Sequence, residues 1–362
     1  MGEIAAVLLD RAGPVLLFLL AVTVVAELTD RAGVFDAAAR LAARAGRGRT
    51  WRLWVLVVLL GVLATTFLSL DTTAVLLTPV VLSLAVQLRL DPLPFAMTTV
   101  WLANTASLLL PVSNLSNLIA LHTMEQLGAP GFTSLTWAPF AAGVLGAVAV
   151  LGLAYRRRLR GGYTAPEPGP QRDPVLFWTS AVVCLVLAPL FVAGITPAIP
   201  ATAAAVLLAV VFAVRGDREV LRFSLLPWKT VLLVAALFVL VEVARRAGMD
   251  ALLGPVAGSG EGFGAHLRLA TTSAVAANLV DNLPAYLAME SVAGSPGRLV
   301  AVLIGVNLGP LVTPWASLAT LLWLGRCRAR GVRIHLGRFA ALGLVGAVVC
   351  VVAATAALQL TV

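Results

Sequence analysis

The chain has 362 residues, of which 60% are apolar and only 12% charged, and its mean hydropathy is +0.97. Soluble domains carry about a quarter charged residues, and disordered chains need low hydrophobicity, so both classes are excluded. The 26 Lys+Arg against 17 Asp+Glu give a charge of +9; the basic residues sit between apolar runs, where they orient membrane helices rather than bind nucleic acid. Cys184, Cys327 and Cys350 are too far apart for a disulfide framework or a thiolate metal cage. The composition is that of a polytopic membrane protein.

Spanning a core of ~30 Å takes about 20 apolar residues as helix. In chain order the candidates are 14–28, 52–88, 97–121, 135–155, 175–194, 198–215, 230–246, 267–291, 298–325 and 338–361. The first run follows Glu3, Asp10 and Arg11 without a basic leader, which disfavours a cleaved signal peptide. Residues 34–45, with Arg40 and Arg44 on an otherwise small, apolar stretch, read as an interfacial helix. The run 52–88 is too long for one crossing and holds Thr65, Thr66, Ser69, Asp71, Thr72 and Thr73 at its middle. The run 267–291 centres on Asn278, Asp281, Asn282 and Pro284. Backbone-breaking polar chemistry at the middle of an apolar run predicts a re-entrant helical hairpin in each place.

With two hairpins, 21 of the basic residues fall on one face and five (Arg11, Arg245, Arg246, Arg268, Arg298) on the other. The positive-inside rule makes the rich face cytoplasmic and puts both termini outside the cell membrane. The stretch 161–174 is a Pro/Gly-rich polar linker.

The sequence also repeats itself. Glu27–Gly33 matches Glu242–Gly248, Leu70-Asp71-Thr72 matches Val280-Asp281-Asn282, and Asn104 and Pro111 match Asn307 and Pro314. Five crossings separate equivalent points, so the second unit is inverted. Residues 1–160 form the first repeat, 161–229 a linker with helices 175–194 and 198–215, and 230–362 the second repeat. Inverted repeats with broken helices at the midplane are the architecture of secondary transporters, and the fold class read here is an all-α membrane protein of that kind.

Asp71 and Asp281 are the acids deepest in apolar runs. Each either caps a half-helix or takes up and releases a proton, since a helix N-terminus and burial push a carboxylate in opposite directions. Glu27 and Glu242 each precede an Arg by four residues, a spacing that a surface ion pair explains, with a role in transport as the alternative. His122, His266 and His335 make no metal constellation, and neither HExxH nor GxSxG occurs, so no hydrolytic site is present. The stretch 103–118 holds Asn104, Ser113, Asn114 and Asn117 around Pro111, and its partner 306–318 holds Asn307 and Thr313. These neutral donors and acceptors, with Asn278 and Asn282, suit an unwound segment lining a cavity for a neutral polyhydroxylated solute; a polar seam between helices is the structural alternative.

Leu70–Val80, Ala103–Ile119, Asn278–Leu287 and Asn307–Leu324 resemble the arsenite efflux permease family of the ion transporter superfamily, over most of the chain. The resemblance implies extrusion of arsenite and antimonite, driven by proton exchange or by a cytoplasmic ATPase subunit. It further implies a dimer with a scaffold, a moving transport domain and elevator-like access. No cofactor is implied. Two departures stand out: two helices expected before residue 14 are missing, and the tip reads Asp281-Asn282-Leu283-Pro284 where Asn is expected first. The missing helices raise a transport-incompetent scaffold as a further reading. A sodium/proton or organic-anion transporter of the same superfamily is the nearest competitor, with the absence of a cationic residue in either core motif set against an anion.

Overall fold

The computed structural model describes residues 13–164, 173–193, 195–216 and 226–362. Residues 165–172 of the linker, and with them Arg172, lie outside the described residues, as do Arg11, Arg218 and Arg222 of the charge ledger. The first repeat comprises α1 (Gly13–Arg31), α2 (Val34–Ala45), α3 (Thr50–Leu68), α4 (Leu70–Gln87), α5 (Pro92–Thr105), α6 (Leu115–Gln126) and α7 (Phe132–Tyr155). Two connecting helices follow, α8 (Pro174–Val192) and α9 (Ala198–Val214). The second repeat comprises α10 (Trp228–Arg246), α11 (Met249–Ala257), α12 (Phe263–Val280), α13 (Asn282–Met289), α14 (Pro296–Leu308), α15 (Leu318–Ala329) and α16 (Leu336–Leu358). Each helix of the first set has a counterpart in the second. Even the turn glycines correspond: Gly33 before α2 and Gly248 before α11 are both left-handed, at φ 83° and 92°, a conformation glycine adopts without a Cβ penalty.

Six helices among the described residues, including both limbs of the first hairpin, are long and apolar enough to cross a membrane. Contacts at the mouth nevertheless show that α3 and α4 open at one end. At the start of α3, the Thr50 N–H donates to the Gly161 carbonyl (3.2 Å) and the Tyr163 N–H to that of Gly48 (2.9 Å). Just beyond α4, Asp91 pairs with Arg158 at 2.7 Å. Both mouths therefore meet the stretch that follows α7. The same Arg-rich end carries the pair of Asp173 with Arg215 (2.8 Å), and that hydrogen bond holds the Asp173 carboxyl below the ordinary carboxylate range.

The second hairpin opens at the opposite end, and one side chain closes it. The Arg298 guanidinium donates to the carbonyls of Gly258 (2.7 Å) and Gly260 (3.1 Å) before α12, and to Val292 (3.3 Å) and Ala293 (2.7 Å) after α13. The broken crossing α14–α15 runs from this end toward the other, where Trp323 Nε1 donates to the Ala96 carbonyl near the start of α5 (2.9 Å). The inversion is thus visible in named contacts.

α5 and α14 form the centre. Every residue from Pro94 to Thr105 and from Gly297 to Leu308 is buried, as expected of helices apolar on all sides. α14 lies backbone to backbone against α12: a Cβ at Gly305 would collide with the Ala270 carbonyl and Ser273, and one at Gly309 with Ala274. This is small-residue packing, which lets membrane helices approach closely. By contrast α8 and α9 leave Trp178, Leu185, Val206 and Val214 exposed, apolar faces of the kind that meet lipid.

Candidate functional site

Both hairpin tips are made by one residue in an unusual conformation. Ser69 has φ 122° and ψ 164°, and Asp281 has φ 122° and ψ 154°, a region that costs a non-glycine residue about 1–3 kcal/mol. Each side chain then caps the returning half-helix: Ser69 Oγ accepts the Thr72 N–H (3.3 Å), and Asp281 accepts the Leu283 N–H (3.0 Å). This corrects the sequence alignment of Asp71 with Asp281. The geometric partner of Asp281 is Ser69, and Asp71 sits two residues farther on, in the first turn of α4, with no hydrogen-bond partner among the described residues. Its helix is locally widened to a π-turn at Thr73–Leu77. Pro79, lacking an N–H, cannot continue the regular ladder, and the Thr73 carbonyl accepts both the Thr78 backbone N–H, the wide bond of the π-turn, and the Thr78 hydroxyl (3.0 Å). Such π-segments are frequent at functional sites.

The first tip meets the break between α5 and α6. Ser113 Oγ donates to the Thr66 carbonyl (2.7 Å), and Thr66 Oγ1 to that of Ala106 (3.3 Å). The second tip meets the break between α14 and α15 through Asn278. Its amide donates to the Gly309 carbonyl (2.8 Å) and its Oδ1 accepts the Thr313 N–H (3.1 Å); its own carbonyl takes the Thr313 hydroxyl and the Trp315 indole N–H, both at 2.9 Å.

The two broken crossings touch along a pseudo-two-fold. Asn114 and Ser317 are the equivalent caps of α6 and α15, with φ/ψ of −151°/143° and −150°/146°. Asn104 Nδ2 donates to Thr320 Oγ1 (3.3 Å), and its counterpart Asn307 Nδ2 donates to Asn117 Oδ1 (2.8 Å). The symmetry stops at the acceptors. Asn307 Oδ1 receives Ser107 Oγ (3.1 Å) and Asn114 Nδ2, whereas the buried Asn104 Oδ1 has no partner among the described residues. Pro310, which stands where the first repeat has Ser107, has no donor to offer it.

Two adjoining cavities lie between these tips and helices α1 and α10. One, of about 140 Å³, is lined by Asp71, Ser69, Thr72, Asn114, Thr23, Glu27 and Thr230 among apolar residues. The other, of about 260 Å³, is lined by Asp71, Asp281, Asn114, Asn282 and Thr230. Of the residues singled out in the sequence, Asp71, Asp281, Asn114 and Asn282 face this space. Asn104, Asn117 and Asn307 are committed to the crossing, and Ser113, Asn278 and Thr313 to joining hairpins to broken helices. Thr230 and Thr320 escape the sequence reading, and Ser69 enters it only as one of the polar residues that break the run 52–88. Ser69 was legible as an acceptor three residues before an amide at a helix start, but nothing in a solitary Thr230 distinguishes it. Among the described residues no Lys or Arg lines either cavity, and no group of His, Cys, Asp or Glu is arranged to hold a metal.

Comparison with known proteins agrees with this architecture. Residues 3–319 match the family model described as citrate transporter. An arsenical pump membrane protein of Escherichia coli is 31% identical over 351 residues, covering 90% of this chain and 81% of its own. A putative arsenical pump membrane protein of Bacillus subtilis is 24% identical, covering 89% and 81%. The crystal structure of the YdaH transporter of Alcanivorax borkumensis superposes with a TM-score of 0.62 at 15% identity, over 98% of this chain and 87% of that one, which shows a shared fold. With its inverted repeats, paired hairpins and broken crossings, the chain is a multi-pass membrane transporter and belongs to the arsenical pump membrane protein family of the ion transporter superfamily.

Proposed function

We propose that the protein extrudes arsenite and antimonite as the neutral trihydroxide across the cell membrane, by proton antiport, with the Arg-rich end cytoplasmic. The observation that carries this reading is the lining of the two cavities: the hairpin carboxylates Asp71 and Asp281 with Glu27 of α1, neutral amides and hydroxyls, and, among the described residues, no cationic side chain. A trihydroxide offers three donors and several acceptors to such a wall and enters without the cost of desolvating an ion. Thiols would trap trivalent arsenic, whereas a pump needs reversible binding; Cys327 and Cys350 are buried in helices away from both cavities. The names of the relatives support the substrate class.

The family model's description raises citrate as a second reading. A tricarboxylate held beside Asp71 and Asp281 would be repelled by both carboxylates, which disfavours it. Radiolabelled arsenite uptake into everted vesicles decides between them: an inside-acid gradient should accelerate uptake, and excess citrate should leave it unchanged. Uptake blocked by citrate, or sodium-dependent proton movement without arsenite, would sink the proposal. A homodimer and a cytoplasmic ATPase subunit are proposed only as far as the family resemblance implies them.

A further inference from the structure

Two acids share the smaller cavity, and only one of them belongs to a hairpin. Glu27 lies in α1, four residues before its end at the Arg-rich surface, and lines the 140 Å³ cavity with Asp71. The same wall holds the polar Thr23, Ser69, Thr72, Asn114 and Thr230 among apolar side chains of α1, α4 and α15. A water needs roughly 10–15 Å³ of such volume and two to four polar partners, so the cavity takes several in a row. Neither carboxylate has a hydrogen-bond partner among the described residues, so neither is locked by one into a single protonation state.

We propose that Glu27 is the proton relay between Asp71 and the Arg-rich surface, an inference that rests on the antiport reading above. Protonated Asp71 passes its proton through a cavity water to the Glu27 carboxylate: an O–H bond breaks at Asp71 and one forms at Glu27. Glu27 then gives that proton to bulk water at the Arg-rich end and returns to a carboxylate. The charged or titratable groups toward this end of α1, from the elements packed on it, include Asp71 of α4, Arg326 of α15, whose positive charge acts on Glu27, Asp36, Arg40 and Arg44 of α2, Cys184 of α8, and the Asp173–Arg215 pair at the ends of α8 and α9. On α1 itself Asp30 and Arg31 follow one turn later. The repeat counterpart Glu242 lies toward the opposite end of inverted α10 and lines neither cavity.

Gradient-driven arsenite uptake and arsenite counterflow, measured in the same everted vesicles, test the relay. Exchange of labelled for unlabelled arsenite needs only the loaded carrier to move, and so no proton release. Glu27→Gln should lower gradient-driven uptake by about tenfold or more and lower counterflow far less, and Glu27→Asp should restore much of the loss. Parental gradient-driven uptake in Glu27→Gln, with Asp71→Asn impaired, would overturn the relay and leave antiport standing. Equal loss of uptake and counterflow in Glu27→Gln would also overturn it, by showing a role in binding or folding. A parental protein that exchanges arsenite but ignores the gradient would refute antiport itself and take the relay with it.

Discussion

Ser69 and Asp281 share one backbone conformation, φ 122° with ψ near 160°, at the tips of two hairpins that enter from opposite ends. Each is held in a conformation that glycine would adopt freely, and each offers the next half-helix an oxygen cap. Only one of the two caps is a carboxylate. The other carboxylate, Asp71, is displaced two residues along its limb, where it faces the cavities without capping anything.

Substitution separates these roles. Asp281→Gly should relieve strain and, since glycine loses only a few tenths as a cap, raise stability in detergent by about 1 kcal/mol while impairing proton-coupled uptake. Asp71→Asn should impair uptake with no change in melting temperature. If Asp281→Gly transports like the parent, its carboxylate serves only as a cap.

Arg298 should be irreplaceable. Its buried guanidinium makes four backbone hydrogen bonds that tie both mouths of the second hairpin, each such charge-assisted bond being worth about 1.5–3 kcal/mol. Arg298→Met should abolish accumulation of folded protein. Arg298→Lys should fail too, because an ammonium lacks the planar fork. Size-exclusion profiles of tagged protein check this, and a monodisperse Arg298→Lys peak would refute the grip.

Gly305→Val places branched carbon against the Ala270 carbonyl and Ser273. Overpacking of this kind costs about 1–3 kcal/mol, and here the obstacle is backbone. A lowered melting temperature is expected, with Gly325→Val, where a Cβ meets nothing within 4 Å, as the silent comparison.

Asn114→Ala removes a cavity-lining amide and the link to Asn307 together, whereas Thr313→Ala loses hydroxyl bonds to Asn278 away from either cavity. At about 0.5–1.5 kcal/mol per neutral bond, Asn114→Ala should weaken arsenite transport several-fold in KM. Thr313→Ala should act through stability, so its loss should appear in the amount of folded protein. The reverse pattern would move the binding site to the second break.

Sidedness is checked by cysteine labelling with an impermeant reagent. Cysteine at exposed Ser134 should react from outside the cell, and at exposed Arg157 only after the cytoplasmic face is opened. Labelling of the Ser134 position from the cytoplasmic face would invert the assignment.

The fold was legible because its departures from plain helix are chemical. Runs of Thr, Ser, Asn and Asp inside apolar segments announced two hairpins and two breaks, and the drifting matches from Glu27 to Pro314 announced the repeat. What sequence could not supply was register to the residue. Asp71 and Asp281 look equivalent because acids are rare in such a composition, yet the backbone pairs Asp281 with a serine. Arg298 counted as one more topological charge, since a guanidinium gripping four carbonyls leaves the same letter as one facing water. The division of labour among the asparagines was equally hidden, because the contacts of Asn104 with Thr320 and of Asn307 with Asn117 join positions about two hundred residues apart.

The glycine contact between α12 and α14 has a mechanical consequence. Side-chain contacts can yield by rotating about χ bonds, but the meeting of Gly305 and Gly309 with Ala270, Ser273 and Ala274 contains almost no such bonds to rotate. It has nothing to trade away for a little sliding, so the two helices transmit displacement as a stiff lever does. Asp281, one residue beyond the end of α12, and Asn307, near the end of α14, stand at the same end of that lever. A shift imposed on the hairpin tip therefore reaches the crossing of the two repeats undiminished.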